Sequence, residues 1–128
     1  MTHHLLSRIA VIILGIVLIA FGIYHFTSPE NLAGWVPEFM PGGKIWVYIT
    51  GVAFVLAGIA FILHRMVRIT GYLLALLLLI FILTIHLPNY LNSGSPDMRQ
   101  VAFVNLLKDT ALAAFALYLA SNARNLEG

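Results

Sequence analysis

Apolar residues run through this chain in long unbroken blocks rather than in the alternation of a strand or the stripe of a surface helix. Ile9 to Phe26, Ile45 to Leu63 and Ile69 to Leu87 each contain no Asp, Glu, Lys or Arg. About 20 such residues are needed for a helix to cross about 30 Å of hydrocarbon, so each block predicts a transmembrane helix. Val101 to Ala120 is as long but is interrupted by Lys108 and Asp109. Ending the segment at those charges would leave Thr110 to Ala120, too short to cross, so the charges are placed inside the membrane. The pattern predicts an all-α, four-transmembrane-helix bundle, with helices at about 5–26, 45–63, 69–87 and 96–120 in one integral membrane domain covering 1–128.

The segments between the blocks carry start and stop signals. Ser28-Pro29-Glu30 and Ser95-Pro96-Asp97 share one helix-start signature: a hydroxyl N-cap, proline at the first helical position, and an acid at the positive end of the dipole. The second opens the last span. The first opens only a short helix, because Gly34, Pro37, Pro41, Gly42 and Gly43 prevent its continuation. Leu32, Trp35, Val36, Phe39 and Met40 lie among those breakers, which predicts a short interfacial helix in the first outer loop. The turn from His64 to Arg68 is short and makes the second and third helices an antiparallel hairpin. Gly15 and Gly22 are seven apart on the first helix and Gly51 and Gly58 repeat that spacing on the second, marking faces where backbones can approach closely.

Composition agrees with this pattern: 61% of the residues are hydrophobic and only 9% charged, against about one quarter charged in ordinary globular domains. So few charges cannot cover a water-soluble surface. The lipid bilayer is therefore the first partner implied. The net charge of +2 comes from scattered basic residues with no stripe or motif, which argues against nucleic acid. Cysteine is absent, which removes disulfides, thiolate catalysis and Cys-ligated metal sites. Arg8 ahead of an apolar run, with Ala20 and Gly22 beyond it, crudely mimics a secretory leader, but three further segments of the same kind follow and the first is read as a span. Arg8, Arg65, Arg68 and Arg124 fall on one side, whereas Lys44 and Arg99 share the other with Glu30, Glu38 and Asp97. That bias predicts cytoplasmic termini.

The chemistry lies where the apolar pattern breaks. Ionisable groups inside a membrane cost from about 2.5 kcal/mol upward at the helix centre and mark functional or paired sites. Lys108 falls roughly 10 Å below the outer boundary at 1.5 Å per residue, and Asn105 shares its face. His86, with Thr84 nearby, belongs to the same half of the third span, His25 and Tyr24 to the first, and Tyr48 and Thr50 to the second. His86, Asn105, Lys108, Asp109, His25 and Tyr48 are therefore the candidate polar or ligand-binding residues of an outer-half pocket. Equally, Lys108 and Asp109 can neutralise one another, while Asn105 and His86 only satisfy hydrogen bonds. Trp35, Trp46, Tyr48 and Tyr90 cluster at the outer boundary, where amphipathic rings anchor a bundle. No His pair has metal-binding helical spacing, and no nucleophile, phosphate-loop or dinucleotide motif occurs. The residues thus offer no catalytic set, metal site or evident cofactor.

Nearly the whole chain resembles the DoxX family of small four-helix membrane proteins. The likeness rests on Gly22-Ile23-Tyr24-His25-Phe26, Trp35-Val36-Pro37 with Pro41-Gly42-Gly43, Trp46-Val47-Tyr48-Ile49-Thr50-Gly51, the basic turn with Arg65 and Arg68, Ile85-His86-Leu87-Pro88, and Asn105 with Lys108-Asp109. The resemblance implies a bacterial inner-membrane bundle linked to thiosulfate and quinone oxidoreduction or to oxidative-stress complexes, with quinone as a possible cofactor and a membrane or redox protein as a partner. Three functions follow. The first is a non-catalytic membrane subunit or accessory of a redox system. The second is a binding protein for a quinone, lipid or other hydrophobic small molecule. The third is an intramembrane enzyme moving protons with Asp109, Lys108 or His86.

Overall fold

A computed structural model describes residues 2–34 and 42–123 of the chain. The described residues form α1 (Thr2–Thr27), α2 (Pro29–Ala33), α3 (Lys44–Ile62), α4 (Val67–Phe81), a π-helical turn (Ile82–His86), α5 (Leu87–Asn92) and α6 (Pro96–Ser121). α4, the π turn and α5 run on without interruption as one span, Val67–Asn92. Four spans are therefore long and apolar enough to cross a membrane, as the blocks predict. No more than 33% of the most apolar window of any span is buried inside the protein. The remaining surface, including Ile13, Ile16, Leu73, Leu76, Leu83 and Val104, is exposed, and only lipid accommodates such a surface. The protein is a multi-pass membrane protein.

The local signals act where expected, with one exception. The Ser95 hydroxyl accepts from the Met98 N–H at 3.2 Å and caps α6, with Pro96 beginning the helix. A helix also begins at Pro29, and Glu30 ties it to the start of α3 through Lys44 at 3.1 Å. That hydrogen bond holds the Glu30 carboxyl below its usual range. The apolar positions Trp35, Val36, Phe39 and Met40, and Arg124, lie outside the described residues. The exception is the third span, whose expected end at Leu87 is passed by five residues. Pro88 has no N–H for the Thr84 carbonyl and its ring would collide with it, so an α-helical ladder cannot run unchanged through this point. The ladder loosens instead, with the Leu87 N–H reaching the Ile82 carbonyl five residues back.

Two glycine seams organise the bundle. A Cβ on Gly15 would lie 2.7 Å from the Gly58 carbonyl oxygen and one on Gly22 would lie 2.7 Å from that of Gly51, so α1 and α3 meet backbone to backbone at both pairs. This antiparallel contact joins the two seven-residue spacings face to face. Gly71 does the same for α4 against the Ala116 carbonyl of α6, at 2.8 Å. Hydrophobic burial adds little between helices already in lipid, so close backbone approach and dispersion hold such pairs together. By contrast, among the described residues no Cα of α1 comes within 8 Å of α4 or α6, and none of α3 approaches α6 so closely. The two helix pairs meet through large side chains instead. Leu14, Leu18, Phe54 and Phe61 from one pair are buried in a common core with Leu74, Leu78 and Leu119 from the other.

Candidate functional site

Where two helix pairs meet mainly through side chains, any gap in side-chain volume leaves a space. One such space, of ≈ 320 Å³, lies in the half of the bundle towards α2 and is lined by all four spans. Its walls are mainly apolar: Leu18 and Phe21 from α1, Phe54 from α3, Leu78 and Phe81 from α4, and Leu112 from α6. Phe54 is the hub, with its ring centroid 6.3 Å from that of Phe21 and 6.5 Å from that of Phe81, the second contact edge to face. Tyr24 and Trp46, both substantially exposed, complete the lining at the α2 end.

One side of the cavity is polar, and helix geometry explains how it divides. Lys108 and Asp109 are consecutive on α6, so their side chains point about 100° apart. Asp109 turns towards the third span and is buried, only 6% exposed, with Oδ2 2.7 Å from Nε2 of His86. That hydrogen bond holds one proton between the two atoms, on the imidazole when the carboxyl is ionised. Lys108 turns towards α1, where its ammonium sits 4.8 Å from the centre of the Phe21 ring in a cation–π contact. Nζ is 3.9 Å from Asp109 Oδ1, a looser approach than that of His86. The main partner of the buried carboxylate is thus an imidazole from another span, not its neighbour in sequence.

The π turn contributes to this pairing. It widens the helix just before Pro88, and Ile85 and His86, both within it, line the cavity together. Because α5 continues for six residues, His86 sits more than one helical turn inside the span rather than at its end. Across the cavity, His25 donates its Nδ1–H to the Phe21 carbonyl at 2.6 Å and presents its ring edge-on to Phe54 at 5.3 Å. In the neutral ring this leaves Nε2 as an acceptor. Thr50 is buried and donates to the Trp46 carbonyl at 2.8 Å.

Five of the six candidate residues read from sequence, His25, His86, Asn105, Lys108 and Asp109, line this one space. Tyr48 does not, and its place there is corrected. Val47 and Thr50 set the inward face of α3, so Tyr48 is rotated away, 42% exposed and stacked on Phe26 at 6.1 Å. Thr84 also stays out of the lining, donating to the Ile80 carbonyl at 2.6 Å. Sequence reasoning missed Phe21, Phe54 and Phe81, because phenylalanine in an apolar run looks like any other lipid or core residue. A weak signal existed: Phe21 precedes His25, and Phe54 follows Thr50, by one helical turn. Among the described residues no group of three or more His, Asp or Glu side chains gathers as a metal site.

Residues 14–120 match the family model described as Domain of unknown function (DUF8561). The chain belongs to that family. The match begins within the first span, ends at the close of the fourth, and takes in every residue that lines the cavity. No curated protein and no solved structure matches the chain.

Proposed function

We propose that this protein is a non-catalytic binding protein of the membrane, holding an amphipathic small molecule such as a quinone or lipid in the cavity between its helix pairs. The observation that carries the reading is an intramembrane space with aromatic and aliphatic walls and one polar side, where Asn105, Lys108 and the His86–Asp109 pair converge. A few placed polar groups in an otherwise apolar pocket suit a ligand with an apolar body and a polar head. A gap of this size within lipid reach is costly to leave unfilled, because its lining loses dispersion contacts. The DoxX resemblance extends the reading to an accessory of a membrane redox system in a bacterial inner membrane. Its motif residues His86, Asn105, Lys108 and Asp109 are those that meet at the cavity.

Purification in mild detergent followed by mass spectrometry tests this directly. We expect a quinone or lipid retained in near-stoichiometric amount, and its loss from Ile85→Trp, which fills the cavity from the π turn. Equal retention by the wild type and Ile85→Trp would place the bound molecule elsewhere and remove the proposal. A redox protein that co-purifies with both forms would support the accessory role independently of the ligand.

The proposed orientation places both termini in the cytoplasm and the cavity in the outer half, with α2 at the outer interface. Its support is the basic-residue bias, Arg8, Arg65 and Arg68 at one end of the bundle against Lys44 and Arg99 at the other. Since the chain has no cysteine, single cysteines can report the side. Arg65→Cys should resist an impermeant thiol reagent applied to intact cells, and Ser93→Cys should react. The opposite labelling pattern would invert the topology.

A further inference from the structure

The polar side of the cavity is unevenly committed. Asp109 and His86 are engaged with each other at 2.7 Å. Lys108 and Asn105 line the same space, one helical turn apart, and neither has a hydrogen bond to any of the described residues. Lys108 has only the Phe21 ring and an Asp109 oxygen at 3.9 Å, beyond hydrogen-bonding distance. An ammonium has three donors and no acceptor, and an amide adds two more donors, so this pair offers an excess of N–H groups to whatever enters. The one carboxylate nearby already accepts from His86. Inside a bilayer, an ammonium whose donors are unused favours an oxygen acceptor that carries negative charge.

Resting on the reading of the cavity as a binding site, we propose that its occupant has an anionic oxygen head, a carboxylate or phosphate, on an apolar body. Lys108 and Asn105 hold the head, and the aromatic wall of Phe21, Phe54 and Phe81 holds the body. Lys108 supplies charge and Asn105 supplies direction. The His86–Asp109 pair closes the polar side and keeps its carboxylate from competing for the ammonium. Tyr24, His25 and Thr50 face the same space from α1 and α3, and none of them brings a negative charge to it at neutral pH.

Three probes with the same saturated twelve-carbon chain separate the possibilities: dodecanoate, dodecyl phosphate and dodecan-1-ol. Binding is measured with the protein in phosphatidylcholine nanodiscs at about pH 9, where the carboxyl is ionised even when its pKa is raised at an interface. We expect at least one anion to bind about tenfold or more tightly than the alcohol. Preference for dodecanoate would point to a free fatty acid, and preference for dodecyl phosphate to a phosphate-bearing lipid; each supports the anionic head. Lys108→Met should abolish the preference, Lys108→Arg should retain it, and Asn105→Leu should weaken it. Helical content by circular dichroism and a single size-exclusion peak for each variant nanodisc are the control for folding, and retention of the preference by Lys108→Arg separates loss of charge from loss of structure.

Equal affinity for alcohol and anions in the wild type would overturn the anionic head while leaving the binding cavity intact. An anion preference that survives Lys108→Met would also overturn it. Failure of all three probes to bind would overturn both this proposal and the reading on which it rests.

Discussion

Replacing His86 with leucine should destabilise the protein by about 3 kcal/mol, the cost expected when the close partner of a buried carboxylate is removed and the carboxylate stays. The carboxylate of Asp109 is buried and its one close partner, at 2.7 Å, would be gone. Its remaining neighbour is the Lys108 ammonium at 3.9 Å, itself partly exposed and set over the Phe21 ring. Asp109→Leu should cost less than His86→Leu, because it strands an imidazole that can be neutral rather than a carboxylate. The double change to leucine should recover to within about 1 kcal/mol of wild type, since no polar group is then left without a partner. Lys108→Met should cost less than about 1 kcal/mol, because Nζ is 3.9 Å from the nearest carboxylate oxygen and Asp109 keeps its closer partner, His86. Equilibrium unfolding in mixed micelles measures all four variants. Near-equal stabilities for His86→Leu and the double variant would show that the His86–Asp109 contact does not hold the third span against α6.

That ordering differs from what the sequence alone suggests. Lys108-Asp109 reads as a self-neutralising dipeptide, and His86 at the same depth reads as the alternative partner of the carboxylate. Adjacency along a helix nevertheless places two side chains about 100° apart, and the structure sends one charge to each neighbouring span. The depth of the polar positions was legible because it follows from counting residues along a rigid rise. The direction of each was not, because it depends on which spans are neighbours. Pairing of α1 with α3 was foreshadowed by Gly15 and Gly22 opposite Gly51 and Gly58, whereas Gly71 stood alone in its span and gave no spacing to read.

The third span shows the same limit from another side. Pro88 reads as a helix terminator, and the π turn that absorbs it leaves no trace in an apolar run. Yet that turn places His86 deep enough to meet Asp109. Tyr48 illustrates the converse error, since its depth is right and its rotation about α3 is wrong. A soluble helix shows which way it faces by an apolar stripe set against a polar one. In lipid the core and the exterior are equally apolar, so that contrast, and the facing it would reveal, is missing from the sequence.

The largest effect on folding is expected at the α1–α3 seam. A Cβ on Gly58 would lie 2.5 Å from the Gly15 carbonyl oxygen and 2.7 Å from the Ile19 side chain, and one on Gly15 would lie 2.7 Å from the Gly58 carbonyl oxygen. Backbone oxygens cannot rotate aside, so even alanine must push the helices apart along the contact. Against this stands the helix propensity gained on replacing glycine by alanine, about 1 kcal/mol. The clash is larger, because separating the seam forfeits dispersion contacts along its length in a medium where these supply most of the association energy. Gly58→Ala should therefore destabilise by about 2 kcal/mol net, and Gly58→Leu by more than about 3 kcal/mol, beyond the range that local overpacking alone produces. Gly51→Ala should be milder in stability, since its closest neighbour is the His25 Cβ at 2.9 Å and the Gly22 oxygen is 3.1 Å away. It should instead displace His25 and weaken ligand retention, a separation of folding from binding that Gly58→Ala does not produce. Gly94→Ala, where an added Cβ meets nothing within 4 Å, is the internal control and should be silent. A Gly58→Leu variant as stable as wild type in micelle unfolding would refute the close backbone seam, and with it the division of the bundle into two tight pairs around a shared cavity.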